Sequence, residues 1–361
     1  MPKSKCGCLC DFERNPITIY SHPMKRTITI ILLALLFCGQ LAAQVSYDSG
    51  TTNLVKVSYN GVTASVVVSS NLQSYVSVTV SGSAVSIVQK STVGASTCGE
   101  ITYQLGGTSA NGSFVMEGEY KASIELDGLR LTNTAGPAIN ILNGKRIEVK
   151  LLEGTSSWLT DGTSTVEDAW KAALYCKGHL EFKGKGTLNV YGNYAHAIYS
   201  KEYMSIKNCT INVLSAVKDA LHCREYFLME SGWVSLSGFA SDAIECNIDG
   251  TTSTGETANH DNEDSGNIYI MGGTLLIDMS KSSGDSIKPD GEKIISGDAT
   301  VEITNTSTGL ENVSPDEQSV KVYNLLGVMI GVYDSPEALN ALPKGTYVIK
   351  NSSITKKISV L

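Results

Sequence analysis

Apolar and polar positions alternate with a period of two through much of the chain. Leu188/Val190, Ile211/Val213, Val234/Leu236, Leu275/Ile277 and Val301/Ile303 are the apolar members of five short runs. Each run opens on a small residue: Gly186, Cys209, Gly232, Gly273 or Ala299. That period predicts strands with one buried face. A shorter strand precedes three of the runs, at Met204/Ile206, Phe227/Met229 and Ile268/Ile270. Long helical patterns are missing, and Gly, Ser, Thr and Val are abundant, which favours β structure.

A second series of tetrapeptides keeps the same beat. Pro137-Ala138-Ile139-Asn140, Ala172-Ala173-Leu174-Tyr175, His196-Ala197-Ile198-Tyr199, Asp219-Ala220-Leu221-His222, Asp242-Ala243-Ile244-Glu245 and Asp285-Ser286-Ile287-Lys288 succeed one another at steps of 35, 24, 23, 23 and 43. The two long steps hold the apparent insertions "TSSWLTDGTSTVEDAW" and "DGTTSTGETANHDNEDSGN". About three short strands per unit, with no helix between them, predict a parallel β-helix in which successive coils stack ~4.8 Å apart. Like residues then form ladders. Cys176, Cys223 and Cys246 fall in one column, with Ser200 filling it between them. A buried, inert thiol ladder is the expectation there.

The fold class expected is therefore all-β. A right-handed parallel β-helix occupies 119–309, an N-terminal β region over 44–118 caps it, and a small C-terminal β-sandwich fills 310–361. The N-terminal region alternates clearly in "SVVVSS" and "YVSVTVSGSAVSIV". Ahead of it, "MKRTITIILLALLFCGQLAAQ" has a basic start, an apolar stretch too short to span a membrane and a small-residue cleavage site. This predicts a signal peptide over 24–43. Residues 1–23, with Cys6, Cys8 and Cys10, read as an upstream extension from a mis-assigned start; a zinc-binding tail is the other reading.

Composition narrows the function. The 361 residues carry a net charge of −8. Beyond the leader the arginines are Arg130, Arg146 and Arg224, so a nucleic-acid footprint is not expected. An acidic chain that handles an acidic polymer needs a local cation. No transmembrane span is expected in the mature chain.

Two resemblances add to this. "VKVYNLLGVMIGVYDSPEALNALPKGTYVIKNSSITKKISVL" resembles the C-terminal sorting domain of the type IX secretion system. The likeness rests on Val322-Tyr323-Asn324 with Gly327, then Leu342-Pro343-Lys344-Gly345-Thr346-Tyr347-Val348, then Lys356-Lys357. It implies a Bacteroidetes-type bacterium, the type IX secretion machinery as a partner, and an extracellular or outer-membrane-surface location. The middle resembles the secreted carbohydrate-binding β-helix family that shares the pectate-lyase fold. The residues carrying this are "GEY…IELDGLRLTNTAGPAINI", "VKLLEGTSSWLTDG", "DALHCREYFLMESGWVSLSG", "DAIEC…GNIYIMGGTLLID" and "GDSIKPDGEKIISGDATVEI". That resemblance implies calcium-assisted attachment to polysaccharide, acidic or plant-derived.

Stacking brings column neighbours within ~5 Å, and stacked carboxylates repel unless a cation or a proton intervenes. Calcium takes six to eight oxygens. Asp219, Asp242 and Asp285, with Glu245 and Asp290, are the candidate calcium ligands. Capping of turn amides is the other use of such aspartates. Trp233 stands in a column otherwise Thr187, Thr210, Thr274 and Thr300 and should face outward, where a sugar ring could stack. Lys288, Arg224 and His222 beside the acidic column complete the carbohydrate-binding candidates. No catalytic set is assigned. A calcium-dependent polysaccharide lyase, with Lys218, Arg224 or Lys288 as base, and an adhesin with a protein ligand are the alternatives.

Overall fold

The computed structural model describes residues 45–165, 167, 170–250, 264–305, 320–324, 329–333, 339, 342–350 and 355–360. The expected signal peptide, the first 23 residues, and the acidic Asp261 and Glu263 of the second apparent insertion lie outside them. Among the described residues there is no α-helix, and none long and apolar enough to cross a membrane.

The chain winds as a parallel β-helix with three ladders of strands. Face 1 runs through Ile101–Ser109, the first half of Ala122–Thr132, Ile147–Leu151, Leu180–Gly184, Met204–Ile206, Tyr226–Met229, Asn267–Ile270 and Lys293–Ile295. Face 2 runs through the second half of Ala122–Thr132, Ser156–Thr160, Thr187–Gly192, Thr210–Ala216, Trp233–Leu236, Gly273–Asp278 and Ala299–Thr304. Face 3 runs through Ala84–Gln89, Ser113–Glu117, Ile139–Ile141, Ala172–Cys176, His196–Ser200, Leu221–Arg224, Ile244–Asn247 and Lys288–Pro289. Faces 1 and 2 belong to one sheet and face 3 to another.

The registers reproduce the sequence columns. Thr187, Thr210, Trp233, Thr274 and Thr300 pair successively on face 2, and Leu174, Ile198, Leu221 and Ile244 on face 3. The apolar members point inward and are fully buried from Ile101 to Leu275. Where a glycine opens a face-2 strand, its small size has a steric cause. At Gly232 and Gly273 the backbone takes φ of 104° and 82°, and a Cβ would sit 2.4 Å and 2.5 Å from a carbonyl oxygen of the coil before. Coils stack too closely there for a side chain. Cys176, Cys223 and Cys246 are buried free thiols in the inward ladder, and burial pushes the Cys176 thiol up to about 12.

Two features differ from the sequence reading. Parallel pairing is present well before 119: Leu54–Asn60 pairs parallel with Ile101–Ser109, and Val45–Asp48 with Thr63–Ser69. Two antiparallel hairpins, Leu54–Asn60 with Thr63–Ser69 and Val76–Ser81 with Ala84–Gln89, end the stack. Alternation looks the same in a hairpin and a coil, so the boundary is not visible in the pattern. Second, "SSWLT" is no insertion. Ser156–Thr160 is a face-2 strand, and the inserted loop is confined to residues beyond Thr160.

The C-terminal module is a four-stranded antiparallel sheet of Val320–Asn324, Met329–Tyr333, Gly345–Lys350 and Thr355–Val360. Val320, Val322, Leu339, Leu342, Tyr347 and Ile349 form its own core.

Candidate functional site

The tetrapeptide column becomes one corner and the outer edge of face 3. Its first positions are Ala172, His196, Asp219 and Asp242, all buried, and then the exposed Asp285. Asp219 and Asp242 each cap the next coil. Asp219 Oδ1 accepts the Asp242 amide N–H at 3.0 Å, and Asp242 Oδ1 accepts the Asp285 amide N–H at 2.6 Å. The remaining oxygens meet two imidazoles and an ammonium. Asp219 Oδ2 lies 3.0 Å from His196 Nδ1 and 2.9 Å from His222 Nδ1. Asp242 Oδ2 lies 3.0 Å from Lys288 Nζ. Glu245 spans both, with Oε2 3.0 Å from His222 Nδ1 and Oε1 2.8 Å from Lys288 Nζ.

The electrostatics reflect these contacts. Burial alone would raise the Asp219 carboxyl, but the close His196 imidazole and the hydrogen bond with His222 hold it far below the usual carboxylate range. Burial opposes a charged His222, yet Asp219 and Glu245 outweigh it and raise the imidazole above its ordinary value. His196, deeper in the corner, is lowered by burial. Glu245 and Asp242 raise Lys288 and hold it protonated.

Three of the five candidate calcium ligands thus meet. Ligand oxygens of Asp219, Asp242 and Glu245 lie within 4.8 Å of one another. Asp285 contributes its backbone amide, and its carboxylate is exposed. Asp290 is exposed and accepts the Ile248 amide N–H at 3.0 Å. Oxygen donors of this kind fit a hard cation, although Lys288 now sits among them. Its side chain is 43% exposed, free to swing aside.

Of the sugar-binding candidates, His222, Arg224 and Lys288 share face 3, whereas Trp233 stands on face 2. His222 stacks on Tyr199 at 4.8 Å, and Tyr199 stacks on Tyr175 at 5.6 Å. Both tyrosines are buried beside Leu142 and Trp170, so no ring face is open there. Arg224 is held by Asp249. Trp233 is 45% exposed, flanked along its ladder by Thr210 and Thr274. Face 2 carries further aromatics that the pattern does not single out. Trp158 stacks on Tyr191 at 6.3 Å, and the Arg130 guanidinium lies 5.3 Å over the Trp158 ring. The signal is present, since Trp158 is the outward member between Ser157 and Leu159. Reading its segment as an insertion hides it.

The model of the carbohydrate-binding domain-containing protein family matches residues 81–330. A carbohydrate-binding domain-containing protein of Acetivibrio thermocellus is 26% identical over 111 residues, which are 29% of this chain and 39% of that protein. The chain therefore matches well under half of that relative's length. A solved structure of a polysaccharide lyase-like protein from C. thermocellum, a gadolinium derivative, aligns with a TM-score of 0.53 at 20% identity. It covers 69% of this chain and 99% of that one, and at this identity it speaks to the fold.

Proposed function

Because this chain belongs to the carbohydrate-binding domain-containing protein family, we propose that it is an exported, calcium-assisted polysaccharide-binding protein that performs no chemistry. The observation that carries the binding reading is the open indole of Trp233 on a flat parallel face. A sugar ring presents an apolar face that stacks on such a platform, while neighbouring threonines and Asn212 offer hydrogen-bond partners. Trp233→Ala is expected to weaken adsorption to insoluble polysaccharide roughly 30-fold, about what a buried aromatic anchor contributes. Its melting temperature should stay that of the parent. A binding isotherm on insoluble glycans that does not move would remove Trp233 from the site.

Calcium would be held by Asp219, Asp242 and Glu245, where it would bridge to the carboxylates of an acidic glycan. Lys288 competes for two of the same carboxylates. Lys288→Met should therefore tighten calcium binding about tenfold, the equivalent of losing one competing ion pair. Calorimetric titration with calcium reads this directly; unchanged or weaker affinity would place the ion elsewhere.

Lys288 also bears on the lyase alternative. A proton-abstracting lysine must be deprotonated near working pH, and Lys288 is held protonated. That supports binding over elimination. Incubation with polygalacturonate and calcium, monitored for the ultraviolet absorbance of an unsaturated product, decides between them. Export by the signal peptide and type IX release through residues 310–361 complete the proposal. Truncation at 310 should leave the protein in the periplasm of a type IX-competent host.

A further inference from the structure

A second group of ligand-type side chains lies at the opposite edge of face 3, where each coil turns into face 1. His179, Glu202 and Glu225 are spaced 23 residues apart in the chain and stand on three successive coils. Their ligand atoms lie within 4.8 Å of one another. His179 Nε2 is 3.6 Å from Glu225 Oε2 and 4.0 Å from Glu202 Oε2. Glu225 is fully buried, and its Oε1 has no hydrogen-bond partner. Its Oε2 accepts the Tyr203 amide N–H at 3.2 Å.

We propose that His179, Glu202 and Glu225 form a binding site for a zinc-class transition-metal dication, separate from the acidic column of face 3. Four observations converge on it. First, two carboxylates meet at a buried corner where, among the described residues, His179 is the one cationic-type side chain within ion-pair distance. Like charges so placed need a proton or a metal. Second, a buried carboxylate oxygen without a partner costs free energy unless something binds it. Third, Glu225 holds φ at 62°, a left-handed conformation that a residue with a Cβ avoids. It is pinned there by the Gly266 amide, which donates to the Glu225 carbonyl at 2.6 Å. Fourth, the scaffold is rigid. His179 stacks on Tyr203 at 4.5 Å, and Tyr203 on Tyr226 at 4.7 Å. The Tyr203 hydroxyl donates to Glu181 at 2.8 Å.

The donor set selects the metal class. One imidazole and two carboxylates suit zinc and its neighbours better than calcium, which prefers all-oxygen sites. Three protein ligands leave a fourth position of a tetrahedral ion open. The half-exposed Glu202, with a side chain 26% accessible, supplies the path from solvent. This site does not depend on the carbohydrate reading.

Cobalt(II) is the probe, because its ligand-field spectrum reports coordination. The full chain, stripped with chelator, is expected to take up about one Co²⁺ with a tetrahedral-type visible band, displaced by Zn²⁺ and not by Ca²⁺. Glu225→Gln keeps the shape of the neutral acid and should lower Co²⁺ affinity at least ~100-fold with metal-free melting unchanged. Glu202→Gln, at the solvent edge, gives the same test should Glu225→Gln fail to fold. The proposal is overturned if the stripped protein binds no Co²⁺. It is equally overturned if the band survives Glu225→Gln or Glu202→Gln, or if Asp219→Asn abolishes it instead.

Discussion

Replacing Asp219 by alanine is expected to destabilise the protein by about 3–5 kcal/mol, the usual cost of removing one partner from a buried charged cluster. The carboxylate is almost inaccessible, with a side-chain exposure of 3%. It accepts the Asp242 amide and faces two imidazoles. Alanine leaves that amide and the His196 ring nitrogen in a buried corner with nothing to meet them, and it removes one of the two charges that raise His222, the other being Glu245. Asp219→Asn should cost less, about 1–2 kcal/mol, because the amide can still find an oxygen. Asp285→Ala is the control. It stands in the same sequence column but is exposed, and a surface change of this kind stays within about 0.5 kcal/mol. Urea denaturation in chelator ranks the three. If Asp219→Ala and Asp285→Ala lose the same stability, the corner network is not what holds these coils together.

The second large effect is a pH dependence at Asp161. This residue is 3% exposed, and burial pushes its carboxyl up to about 6. Its Oδ1 accepts the Asn193 amide, and Asn193 Nδ2 donates to the Asp161 carbonyl at 2.9 Å. Between roughly pH 4 and pH 6 the folded chain keeps a proton that the unfolded chain releases. Bound protons are then more numerous in the native state, so stability falls as pH rises through that window. A shift of about two pKa units corresponds to ~3 kcal/mol. Asp161→Asn keeps the acceptor and deletes the titration. It should match the parent near pH 4 and exceed it by up to ~3 kcal/mol above pH 6. Denaturation midpoints measured for both proteins at several pH values test this. Two curves that run parallel across the window would show that Asp161 does not titrate with folding.

How much of this can be read from the chain alone differs by feature. The coil register is legible because an inward position tolerates only apolar or small residues. Leu174, Ile198, Leu221 and Ile244 therefore recur where the structure pairs them. Trp233 is legible as outward because strand side chains alternate strictly. The identity of the column partners is legible too: residues one period apart must stack, whatever they are. By that rule His179, Glu202 and Glu225 also carry a signal, at the same 23-residue step as Asp219 and Asp242. It is obscured because His, Glu and Glu do not look alike.

The sequence by itself determined the period, the ladders and which residues could become neighbours. The tertiary structure alone decided which of those neighbours interact. Asp242 and Asp285 share a column, yet only Asp242 is buried with Lys288 and Glu245 around it. Trp233 lies on a different sheet from His222, Arg224 and Lys288, although all four fall within overlapping stretches of repeat. The reason is geometric. Stacking is one-dimensional and is fixed by chain period, whereas corners, burial and side-chain direction depend on how the coil bends and on which loops lie across it.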